Sequence, residues 1–116
     1  MQNTFGEQFR RMREERGISR VELARRMGHK SASYLYDIET GVFIPTDDNL
    51  RELARALGVP LTDLRGMALE TKVQELGIRD PGFVSMLKNY PRLSRQDKQA
   101  IIDAYRQIKC DKGWTR

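Results

Sequence analysis

Apolar residues recur three and four apart along most of this chain, and no stretch alternates strictly between apolar and polar as a half-buried strand would. The period is helical. Thr4 followed by Glu7 has the form of a capping box, and Phe5, Phe9 and Met12 then share one face of a helix that Gly17 stops. Ser19 with Glu22 repeats the box, and Leu23, Ala24 and Met27 form a stripe ended by Gly28. Ser31 caps a third helix carrying Leu35 and Ile38, which Gly41 ends. Thr46, Asp47, Asp48 and Asn49 bring oxygen acceptors and negative charge to the start of a fourth. Its buried face is Leu50, Leu53, Ala54 and Leu57, and Gly58 closes it; Pro60 then opens a short fifth helix with Leu61 and Leu64 turned back to the core.

Five short helices are thus complete by Arg65, which sets a first domain at 1–66 and a helical C-terminal module at 67–116. Residues 67–76 read as a short helix or a structured connection ending at Gly77. Asp80-Pro81 is a cap with proline at the first helical position, leading into Phe83, Val84, Met86, Leu87 and Tyr90 before Pro91 ends the segment. Ser94 with Asp97 starts a last helix bearing Ile101, Ile102, Tyr105 and Ile108, and residues 111–116 read as a frayed tail. The fold class is all-α.

Composition narrows the function. With 39% apolar and 32% charged residues in 116, the chain suits a small folded protein with a solvated surface. No apolar run approaches the eighteen or so residues of a membrane span, and the first ten residues lack the apolar stretch of a signal peptide. Cys110 stands alone, so no internal disulfide forms, and the expected setting is the cytoplasm. Net charge is +5, divided into 11 basic and 10 acidic residues in 1–66 and 10 and 6 in 67–116. Residues 10–30 are locally basic, with Arg10, Arg11, Arg13, Arg16, Arg20, Arg25, Arg26 and Lys30 opposed only by Glu14, Glu15 and Glu22. A charge run on a helix is usually a solvated face, so this cluster permits nucleic-acid binding without demanding it.

The stretch that decides the matter is Ile18-Ser-Arg-Val-Glu-Leu-Ala-Arg-Arg-Met-Gly28, a tight turn, then Ser31-Ala-Ser-Tyr-Leu-Tyr-Asp-Ile-Glu-Thr-Gly41. Two short helices joined by a glycine-containing turn are the helix-turn-helix, which offers its second helix to the DNA major groove. Over residues 5–64 the chain resembles the lambda-repressor/Cro (XRE) helix-turn-helix family. The first-helix segment Phe5-Gly-Glu-Gln-Phe-Arg-Arg-Met-Arg13, then Glu22-Leu-Ala24 and Ile38-Glu39-x-Gly41, carry part of that likeness. Pro45, Leu53-Ala54-x-Ala56-Leu57-Gly58-Val59 and Leu61-x-x-Leu64 carry the rest.

The resemblance implies that Ser31, Ala32, Ser33, Tyr36 and Asp37 face double-stranded DNA from the recognition helix, with Lys30 beside them on phosphate. Tyr36 and Asp37 also lie opposite Leu35 and Ile38 on the helix, while Tyr34 is intermediate and either packs or reaches the backbone. Arg20 would contact phosphate or brace the recognition helix. Asp37 would be repelled by phosphates or accept from cytosine N4. The turn Gly28-His-Lys-Ser31 is one residue longer than the commonest family turn, which shifts the helix register by a position. The family likeness further implies an ion pair between Arg13 and Glu39; the alternative is two inconsequential surface charges.

Phe83, Leu87, Ile101, Ile102, Tyr105 and Ile108 make a second apolar set. Either it packs on the first domain or it forms a homodimer interface; two short helices bury little alone, and symmetric operators call for two-fold proteins. In pattern alone, with no diagnostic residue, this tail is similar to the dimerisation region of DdrO/ImmR-type repressors, which a partner metallopeptidase cleaves. The expected function is a dimeric transcriptional repressor; an antitoxin that binds a toxin and regulates itself through DNA is the alternative. His29 and Cys110 have no ligand spaced to complete a metal site, and no phosphate loop or activated nucleophile appears, so neither cofactor nor catalysis is expected.

Overall fold

The computed structural model describes residues 4–28 and 31–114. Every regular element among them is helical: α1 (Phe5–Glu15), α2 (Arg20–Met27), α3 (Ala32–Glu39), α4 (Asp47–Leu57), α5 (Leu61–Glu75), α6 (Pro81–Asn89), a 3-10 turn (Tyr90–Arg92) and α7 (Arg95–Lys112). They fall into two compact units, Met1–Arg79 and Asp80–Arg116.

The helix starts follow from the caps. Thr4 accepts from the Glu7 amide while the Glu7 carboxylate accepts from the Thr4 amide, both at 3.3 Å, a reciprocal pair that satisfies two orphan donors. Ser19, Ser31 and Thr46 cap α2, α3 and α4 with the first half of that pair, each side chain accepting from the amide three residues on. At Ser19 only half of the expected box forms. The Glu22 carboxylate instead accepts from Arg25 at 3.0 and 2.6 Å and from Arg26 at 3.0 Å, because two guanidiniums offer more charge than one amide.

In the first unit all five helices contribute to a single core, and Phe5, Phe9, Leu23, Leu35, Ile38, Leu53 and Leu64 are fully buried. Phe5 and Phe9 stack with centroids 5.9 Å apart. Each such side chain contributes about 1.5–3 kcal/mol of apolar transfer. One position is fixed by closeness rather than apolarity. A Cβ on Gly6 would stand 2.5 Å from the Ile38 carbonyl oxygen and 2.7 Å from that of Glu39, so glycine lets α1 approach the end of α3.

α5 is a single helix through Glu75 that buries Met67, Ala68, Thr71 and Val73, and the compact unit that holds it runs to Arg79. One expectation changes here: the tail does not fray at residue 111, since α7 runs to Lys112 and closes on Gly113 at φ +74°.

In the second unit Asp80 accepts from the Gly82 and Phe83 amides, with Pro81 at the first helical position, and Ser94 accepts from the Asp97 amide at 3.0 Å. None of its described residues is buried. Among the described residues no helix is long and apolar enough to cross a membrane.

Candidate nucleic-acid interface

The α2–turn–α3 pair is held from inside by Leu23, Ala24 and Met27 of α2 against Leu35 and Ile38 of α3, all buried. Ala24 is small where the helices meet, and Gly28 turns the chain out of α2 at φ +82°. With Leu35 and Ile38 fixed inward, the helical period sends other α3 positions outward. Tyr36 is 53% exposed, Ser31 and Ser33 are exposed, and Ala32 and Asp37 are half-buried. Lys30, with His29, lies outside the described residues.

Tyr34 goes the other way. Its ring packs against Phe43, with centroids 5.5 Å apart. Burial first, then the nearby Glu52 carboxylate, pushes the phenol above its ordinary value of 10.0. Tyr34 therefore packs toward α4, away from the open face on which Tyr36 stands.

Beneath the open face lies a charge cluster. The Glu39 carboxylate, its side chain 1% exposed, accepts from Arg13 Nε at 2.7 Å and from a second Arg13 nitrogen at 3.1 Å. A further Arg13 nitrogen donates to the Ile18 carbonyl at 2.8 Å, which ties α1 to the loop before α2. The hydrogen bond to Glu39 holds the Arg13 guanidinium above its usual range despite burial. Glu39 Oε1, the oxygen that accepts from Arg13 Nη2, also accepts from Arg20 Nε at 3.0 Å. The same guanidinium lies 5.2 Å from the centre of the Tyr36 ring. One buried carboxylate thus orients two arginines, the outer of which supports the exposed tyrosine.

Beside this cluster is an open concavity lined by Arg13, Ser19, Arg20, Val21, Ala32, Ser33 and Tyr36. It offers guanidinium and hydroxyl donors, the 69%-exposed Val21 side chain and a tyrosine edge. Such a surface matches phosphate oxygens and base edges rather than a small apolar ligand. The choice of Glu39 as the partner of Arg20 and the Gly6 contact escape sequence reasoning. The first joins residues nineteen apart with many charged neighbours between, and the second shows only as a glycine inside a helix.

A surface helix projecting from a packed five-helix unit is the architecture of a helix-turn-helix protein. Residues 9–64 match the helix-turn-helix family. A protein of Sinorhizobium fredii described as an uncharacterized HTH-type transcriptional regulator, y4dJ, is 41% identical over 64 residues, covering 55% of this chain and 82% of that protein. No solved structure matches. The chain belongs to the XRE-type helix-turn-helix family of DNA-binding transcription regulators.

Proposed function

We propose that the protein is a sequence-specific repressor that acts in the cytoplasm by occupying a promoter as a homodimer. The observation that carries the reading is the build of α3. Tyr36 stands on its open face with Ser31 and Ser33 beside it, while the opposite face is locked by Leu35 and Ile38. In this reading Tyr36, Ala32, Ser33 and Asp37 meet base edges in the major groove. Ser31, Lys30 and Arg20 meet phosphate, and Tyr34 supports α3 from behind. Dimerisation through Phe83, Leu87, Ile101, Ile102, Tyr105 and Ile108 is supported by the absence of any buried residue among the described residues of the second unit. In it Phe83, Tyr105 and Ile108 are 37%, 51% and 48% exposed. A two-fold dimer would place its two α3 helices on half-sites about 34–36 Å apart.

Selection of bound duplexes from random DNA tests the reading. The native protein should enrich one palindromic sequence. Tyr36→Ala should change which base is preferred at one position of each half-site, at about 1–3 kcal/mol per lost contact. Enrichment of no sequence, or an unchanged preference in Tyr36→Ala, refutes the role given to α3. Sedimentation of the native chain as a monomer at micromolar concentration refutes the dimer.

A further inference from the structure

Charge is divided unevenly between the two units. Residues 1–79 hold thirteen basic and twelve acidic side chains, net +1, whereas residues 80–116 hold eight and four, net +4. In the first unit carboxylates occupy the arginines of the helix-turn-helix, with Glu39 holding Arg13 and Arg20 and Glu22 holding Arg25 and Arg26. In the second unit two of the three α7 carboxylates are engaged by amides. Asp103 accepts from Gln99 at 2.8 Å and Asp111 from Gln107 at 2.9 Å, and Asp103 approaches Arg106 only at 4.0 Å.

Arg95, Lys98 and Lys109 form no ion pair among the described residues. The Lys98 ammonium lies 5.2 Å from the Tyr90 ring centre and that of Lys109 5.5 Å from Tyr105, contacts that orient a cation without neutralising it. Arg95, Lys98, Arg106 and Lys109 stand at i, i+3, i+11 and i+14. At 3.6 residues per turn these positions share one side of α7, in a stripe about 21 Å long. The three aspartates of α7 lie about 100° or more around the helix from its centre. The stripe borders the apolar arc of Ile101, Tyr105 and Ile108 and shares Ile102 with it, so long cationic side chains can flank a dimer interface with their heads in water.

We propose that this stripe of α7 is a second, sequence-independent DNA contact that supplies much of the salt-sensitive part of the affinity. The proposal rests on the DNA-binding reading of the first unit, because α3 bound to its site holds the tethered stripe at a high effective concentration of phosphate. A second copy of the stripe repels the first. A duplex instead presents one negative charge per about 1.7 Å of its axis, enough to face every cation along the stripe.

The test uses the full chain with Arg95, Lys98, Arg106 and Lys109 all replaced by Gln. Its affinity is measured between about 50 and 200 mM salt for a selected duplex and for a scrambled one. The expected result is a slope of log affinity against log salt that flattens by about 4–7 for both duplexes, since each protomer of the bound dimer loses four cations. Their affinity ratio and the sedimentation coefficient should not change. Arg95→Gln with Arg106→Gln alone, both exposed, should give about half of that flattening and guards against a misfolded quadruple variant. An unchanged slope in both variants overturns the proposal. So does a loss of affinity that appears only with dissociation to monomers, which would assign the stripe to assembly. A native chain that binds both duplexes alike removes the reading of α3 but leaves the slope comparison decisive.

Discussion

Glu39→Ala would strand a buried guanidinium. In the native protein Arg13, its side chain 8% exposed, gives two hydrogen bonds to Glu39 and one to the Ile18 carbonyl; the variant leaves only the last. An uncompensated buried charge costs about 3–5 kcal/mol. Arg13→Ala should cost less, about 1.5–3 kcal/mol, because Glu39 keeps the charge-assisted bond from Arg20 at 3.0 Å. Arg20→Ala should cost about 1 kcal/mol or less, since a third of that side chain faces water and screening weakens its pair. The expected order of destabilisation is therefore Glu39, Arg13, Arg20. Combining Glu39→Ala with Arg13→Ala removes the stranded charge, so the double variant should be more stable than the sum of the singles by about 1–3 kcal/mol. Urea unfolding followed by helical circular dichroism measures the four variants against the native protein. Additivity within about 0.5 kcal/mol, or an Arg20 effect as large as that of Glu39, would refute the picture of one carboxylate organising two arginines.

Gly6→Ala should destabilise by about 1–3 kcal/mol through overpacking, against the roughly 1 kcal/mol that helix propensity alone would gain. The new Cβ meets backbone carbonyls of α3 that cannot rotate away, so a raised melting temperature would disprove that contact. Asp47, paired with Arg65 at 2.8 and 2.7 Å and with Arg51 at 3.4 Å, is held below the ordinary carboxyl range chiefly by the Arg65 bond. The unfolded chain then binds this proton more readily, so the contribution is present above the unfolded value and is lost as pH falls through the folded one. Titration of the Asp47 carboxyl by NMR should show the lowered value, and Arg65→Ala should raise it; no change on removing Arg65 would contradict the assigned cause.

The local features of this chain are legible in its letters. Thr4, Ser19, Ser31, Thr46, Asp80 and Ser94 each cap the helix whose start they mark, because a cap needs only a side-chain oxygen and an amide two or three residues away. The inward pairing of Leu35 and Ile38 likewise follows from the period, and with it the outward place of Tyr36. The length of α5 was harder to read. Gly66 interrupts its stripe at a cost of about 1 kcal/mol, and the burial of Met67, Ala68 and Val73 outweighs that cost only when the core to receive them exists.

Tertiary structure alone decided which partner each polar group takes. Glu22 had an amide and two guanidiniums within reach and took the guanidiniums. Tyr34 sits between two faces of α3 and took the side on which its ring meets Phe43. Arg20 and Glu39 meet across nineteen positions because the Gly6 approach and the α2–α3 packing set the end of α3 beneath the start of α2. A helix period fixes which side of a helix is apolar. The choice among several donors of one charge depends on distances between helices, and those arise only when the core closes.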